Sequence, residues 1–290
     1  MINKGLSRVI VFFLYALSLL PLSVLYLFSD ALYYIIYYVV GYRKKVVREN
    51  LQNSFPQKTT LELRTIERKY FRYFTDLVFE IIKMVSASPA YLLKHYTFTN
   101  VELLQKYEAK KQSYFFAVGH YGNWEWSAVV TPLVVKAKTL IIYKPMTSDH
   151  FNDFFTKIRG KSGTTMVKMK LAMREIIKHK DELTVTVFAT DQTPAQAHIK
   201  EFIPFLNQPT PIFLGLEKIA KSTNYPVIFC DISRVKRGVY NCDFKLVCDN
   251  PAETEDLEIT KKHTAILEDR INVEPAFWLW SHKRWKYKPR

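Results

Sequence analysis

The sequence predicts an α/β protein: a mixed central sheet covered by helices on both faces, with an N-terminal membrane-anchoring helical segment. Three observations predict it. Past residue 97, strand-like and helix-like runs alternate. Within that alternation, SYFFAVGHYGNWEW (residues 113–126) reads as an interior strand, a tight turn and a helix start. Ahead of it, residues 9–29 form a run of 21 residues without a charge.

At 1.5 Å per residue that run is roughly 31 Å long, enough to cross a bilayer core. Lys4 and Arg8 precede it and Asp30 follows. A second uncharged run, 31–42, is too short to span but carries five tyrosines, which suit a membrane interface. RKKVVR (43–48) comes next. Basic residues on both sides leave the orientation open. Pro21 can break the first run into a monotopic or re-entrant hairpin, and a single span is equally allowed. A cleaved signal peptide fits poorly, because the apolar stretch is long and no A-x-A site follows. A buried core helix is the remaining alternative.

The boundary falls near residue 50: an anchor with its basic flank (1–50), then a globular domain (51–290) with a helical lead-in (51–96) and an α/β core (97–290). Residues 59–85 carry a capping box, Thr59 and Glu62, ahead of an apolar stripe from Ile66 to Val85, and predict one amphipathic helix. Strands are expected at 113–118, 139–143, 164–169, 183–190, 226–233 and 240–248. Helices are expected at 123–136, 148–158, 170–180, 211–223 and 255–271, the fourth started by Thr210 as cap and Pro211 as first helical residue.

The net charge of +15 and pI near 9.5 imply an anionic partner. Aromatic residues at 15% favour a membrane surface over nucleic acid. Three cysteines without a CxxC argue for buried thiols rather than a disulfide framework. No Gly-rich phosphate loop, HExxH or zinc spacing occurs, so no cofactor or metal is expected.

His120 follows the strand, where α/β proteins place reactive groups, and Glu125 lies in the first turn of the following helix. A carboxylate on Nδ1 fixes the imidazole tautomer and frees Nε2 to take a proton from a hydroxyl. The duller reading is a half-buried histidine and a capping glutamate. Asn123 is the expected N-cap. Arg159 and Lys161 flank Gly160 and can grip a phosphate, or be a solvated basic loop. Asp191 and Gln192 end a strand, where Asp191 can orient a basic group or simply cap a turn. The remaining histidines read as ordinary. FWLWSHKRWKYKPR at the C-terminus mixes tryptophans with basic residues and suggests an interfacial role.

VGHYGNWEW resembles the HxGNWE form of the H-x4-D/E signature of lipid A late acyltransferases, relatives of the glycerophosphate acyltransferases. IRGKSG, ATDQTP, QPTPIFLGLEKIAKSTNYPVI and PAFWLWSHKRWK resemble further family segments in the same order, so the likeness covers most of the chain. QTPAQAHIKEFIPFLNQ departs from the family's Gly-rich DQ loop. The resemblance implies a glycerophosphate-acyltransferase-like fold on the cytoplasmic face of the bacterial inner membrane. It implies transfer of a fatty acyl chain from acyl carrier protein to a lipid hydroxyl, without metal or cofactor. His120 would be general base and Glu125 its orienting partner. Asn123 would assist at the oxyanion, Arg159 and Lys161 at a phosphate, and Asp191 and Gln192 in support. Acylation of another membrane amphiphile, hydrolysis by an activated water, and a non-catalytic basic binding protein stay open as alternatives.

Overall fold

The computed structural model describes residues 4–289, with side chains from Val9 onward; Arg290 and the side chains of Lys4 and Arg8 lie outside the described residues. Helix α1 (Lys4–Ser18) ends before Pro21, which lacks the N–H to continue it. Helix α2 (Leu22–Tyr34) runs on into a π-helical turn (Ile35–Val40), closed by Gly41 at φ 66°. The 21-residue uncharged run is therefore broken, and the continuous apolar helix is the later one, Leu22–Val40, long and apolar enough to cross a membrane. The second uncharged run, expected as a separate short element, is the C-terminal part of that helix.

After α3 (Lys44–Ser54), α4 (Thr60–Met84) starts at the expected capping box, the Thr59 side chain accepting from Glu62 N and the Glu62 carboxylate from Thr59 N. One face of α4 carries Tyr70, Phe71, Tyr73 and Leu77 into the core, so this helix is a central support. A short helix, α5 (Pro89–Leu93), leads to β1 (Tyr96–Thr99) and α6 (Glu102–Ala109).

The five residues of β2 (Tyr114–Val118) are all buried, as an interior parallel strand requires. α7 (Trp124–Val130) follows, then β3 (Lys138–Tyr143), α8 (Asp149–Arg159), β4 (Thr165–Lys168), α9 (Ala172–Lys178) and β5 (Thr184–Ala189). Beyond the small β6 (Phe202–Phe205) and β7 (Gln208–Pro211) hairpin come α10 (Gly215–Thr223), β8 (Val227–Lys236), β9 (Val239–Cys248) and α11 (Glu258–Val273). The seven-stranded sheet has the order β1-β9-β8-β2-β5-β3-β4, antiparallel only between β8 and β9. It is the mixed, helix-covered sheet that the alternation predicts.

Two expectations fail. No helix starts at Thr210–Pro211, because Leu206 and Asn207 take positive φ (50° and 59°) and turn the chain into the β6–β7 hairpin. Thr210 Oγ1 accepts from Trp285 Nε1 instead of capping, and the helix begins at Gly215. Two of the three C-terminal tryptophans are too deeply buried for an interfacial role. Trp278 and Trp280 are fully buried, and so is Arg284, whose Nη1 donates to the carbonyl of Pro211. Among the described basic residues of the run, Lys283, Lys286 and Lys288 keep the solvated character expected of it. Cys230, Cys242 and Cys248 are free and buried.

Candidate active site

The site is assembled by strand register. β2 and β5 are parallel neighbours with Val118 opposite Ala189, so the residues two steps beyond, His120 and Asp191, emerge side by side at the carboxyl edge. Thr190 N donating to the Val118 carbonyl carries the pairing one residue further. Asp191 Oδ1 lies 2.5 Å from His120 Nδ1, and Oδ2 accepts from His120 N at 2.8 Å and from Trp278 Nε1 at 2.8 Å. The tautomer follows from the partners. A carboxylate only accepts, so Nδ1 carries the proton and the Nε2 lone pair faces outward. There the Gln192 side-chain amide donates to it at 3.0 Å.

The orienting carboxylate is thus Asp191, whereas the sequence pointed to Glu125. Asn123 caps α7 through Oδ1, which accepts from Trp126 N. One residue into the helix, the Glu125 carboxylate meets the Arg159 guanidinium in a two-pronged pair, Nε to Oε2 at 2.8 Å and Nη2 to Oε1 at 2.7 Å. Both charges act on His120 from a distance, Glu125 favouring its protonated form and Arg159 opposing it.

The other sequence-predicted residues separate. Asn123 is fully buried, with Nδ2 donating to Glu80 and Oδ1 capping the helix, so its amide faces the core rather than the cleft over His120. Lys161 is turned to the end of α4, its ammonium donating to the carbonyls of Met84 and Val85. Burial lowers its pKa. Arg159 keeps one nitrogen, Nη1, that is not committed to Glu125.

One residue set aside in the sequence joins the site. His282 lines the cleft over His120 together with Asp191, Gln192, Trp278 and Leu279. Burial holds its pKa down to about 4, so it is neutral at physiological pH. The signal was its place in WLWSH: Leu279 N donates to the His120 carbonyl, and the segment forms an isolated bridge at Tyr121–Trp278.

Burial alone would lower the pKa of His120, but the Asp191 charge and hydrogen bond outweigh it and raise it above the usual imidazole value. Burial works the other way on Asp191, and it too loses to the partner, leaving that carboxyl well below its normal range. Among the described residues no cluster of three His, Cys, Asp or Glu side chains is placed to hold a metal.

The family model described as bacterial lipid A biosynthesis acyltransferase matches residues 2–287. The chain belongs to that family. Against individual curated proteins it has no significant match. Membership makes the chain a membrane-associated acyltransferase that works between an acyl donor and a lipid acceptor. For such an acyltransferase, an imidazole held by a buried carboxylate, with its unprotonated nitrogen met by the Gln192 amide, is suited to taking a proton from a hydroxyl that displaces that amide.

Proposed function

We propose that this acyltransferase moves a fatty acyl chain from acyl carrier protein to a hydroxyl of a lipid A precursor, with His120 as the general base. The observation that carries the reading is the Asp191–His120 pair, whose unprotonated Nε2 meets the Gln192 side-chain amide. The acceptor hydroxyl takes the place of the Gln192 amide at Nε2. His120 removes its proton as the oxygen attacks the thioester carbonyl, and the tetrahedral intermediate collapses when the C–S bond breaks. The imidazolium then returns the proton to the leaving thiolate, so no covalent enzyme intermediate forms. Asp191 holds the tautomer and stabilises the imidazolium without taking the proton itself.

Glu125 fixes Arg159, and the uncommitted Nη1 is available to an anionic group such as an acceptor phosphate. The net charge of +15 suits both an acidic carrier protein and anionic lipid. Residues 1–50 serve as anchor and 51–290 as acyltransferase domain, at the inner membrane with the site facing the cytoplasm.

The test is reconstitution with a carrier-bound acyl thioester and a phosphorylated glucosamine lipid, read by mass spectrometry. One added acyl mass on that lipid, faster from the carrier protein than from coenzyme A, is the expected result. Transfer to a lysophospholipid but not to the glycolipid would overturn the acceptor assignment. Release of free fatty acid with no dependence on acceptor would make the protein a hydrolase.

A further inference from the structure

The apolar helix Leu22–Val40 does not stand away from the body. Leu22, Leu25, Ser29, Tyr33 and Tyr37 are buried at steps of three and four residues, one stripe over nearly its whole length. That stripe lies on α4 with a polar contact at almost every turn, running antiparallel. Lys83 Nζ donates to the carbonyls of Ser18 and Leu20 ahead of the helix, Tyr26 Oη donates to Glu80, and Ser29 Oγ donates to Asp76. Further along, the Arg72 guanidinium sits over the Tyr33 ring and Tyr37 packs on Phe71. The β8–β9 turn closes the other flank, where Arg237 pairs with Asp30, midway along the helix, and with Asp76.

A helix so attached cannot cross the hydrocarbon core without carrying Arg72, Asp76, Glu80 and Arg237 in with it, and ionisable side chains are costly there. The opposite face of Leu22–Val40 is a continuous apolar stripe, with Leu27, Phe28, Tyr34, Ile35, Tyr38 and Val39 exposed. Exposed Arg43 and Lys45 follow at its end.

We propose that Leu22–Val40 lies in the plane of one leaflet, its stripe under the headgroups and its basic end on anionic lipid, so that this apolar helix does not cross the bilayer. The tyrosines and cations fit an interfacial depth of ~5–10 Å. The inference rests on the membrane attachment in the proposed function but not on any step of catalysis.

It is tested on the full chain bound to vesicles of phosphatidylethanolamine and anionic phosphatidylglycerol. Nitroxide labels are placed singly by Leu27→Cys, Ala31→Cys, Tyr34→Cys and Tyr38→Cys. The native cysteines are buried, and the wild-type chain serves as the blank. Oxygen and water-soluble relaxation agents then give each label's depth. Four similar depths, none beyond ~10 Å, are expected. A depth that rises to the bilayer midplane and falls again along the helix would overturn the proposal. So would labels shielded from both agents with spin–spin broadening, the sign of a second copy on the stripe. As an independent measurement, Ser23→Cys and Tyr42→Cys at the two ends should both react with an impermeant maleimide added outside sealed vesicles. Reaction of either end only after lysis would show a crossing.

Discussion

Asp191→Asn is the change that separates this site from one organised by Glu125. The carboxylate accepts three hydrogen bonds, from His120 Nδ1, His120 N and Trp278 Nε1, at 6% exposure. An amide offers one acceptor oxygen and turns an NH2 toward groups that are themselves donors. Breaking one partner of a buried ion pair costs about 3–5 kcal/mol. A well-packed domain can survive that, so activity is measured below the variant's melting temperature. The kinetic effect is larger. Without an acceptor on Nδ1, the imidazole proton moves to Nε2, where the base lone pair should be, and the same exchange in a serine-protease His–Asp pair lowers kcat about 10^4-fold. The pH profile gives a second reading. His120 must be neutral to act, so wild-type activity rises as pH passes its raised pKa. In the variant, burial is no longer opposed by Asp191 and that limb moves to lower pH. Single-turnover acyl transfer across pH, with near-ultraviolet circular dichroism to confirm packing, is the assay. A folded Asp191→Asn protein within about tenfold of wild type, with an unmoved acid limb, would refute the reasoning.

Glu125→Gln should leave His120 aligned, so its loss of rate should be smaller than that of Asp191→Asn, with the acid limb shifted slightly downward; Arg159→Lys, which loses the two-pronged pair, should raise KM for a phosphorylated acceptor more than it lowers kcat. Asn123→Ala removes a helix cap worth about 1 kcal/mol and leaves buried Glu80 short of a donor, so calorimetry should show a lower melting temperature. Gly122→Ala should destabilise the turn after His120, because Gly122 sits at φ 59° and a Cβ would meet Ile232 Cγ2 at 2.7 Å. In thermal melts across pH, the Asp191 contribution is present above its normal pKa of about 3.9 and is lost on acidification through its depressed value. The His120 contribution is full below about 6.5 and fades as pH rises through its raised pKa. The melting temperature of wild type minus that of Asp191→Asn should therefore be greatest in weak acid.

Much of this was legible from the residues alone. The five buried residues of β2 read as an interior strand because they are apolar on both faces, and Thr59 with Glu62 marked the start of α4. His120 stood out by its position after the strand. Its partner did not, because sequence spacing favours a near neighbour while a parallel sheet brings residues 71 apart into contact. The clue was in the registers, since VGH and ATD each place the polar residue two steps past the strand end. The C-terminal tryptophans misled for a related reason: an aromatic and basic composition fits both an interface and a buried strap, and only tertiary contacts tell them apart. The β6–β7 hairpin was hidden by Pro211, a sound helix starter in isolation.

The most direct test of the central claim is the single-turnover rate of acyl transfer by purified His120→Ala on vesicles. With Asp191 left in place and the fold confirmed by circular dichroism, the rate should fall at least about 10^3-fold, and the lost rate should not return at any pH between the acid and alkaline limits of folding. Transfer within about tenfold of wild type would show that another group removes the hydroxyl proton, and that the Asp191–His120 pair serves only the scaffold.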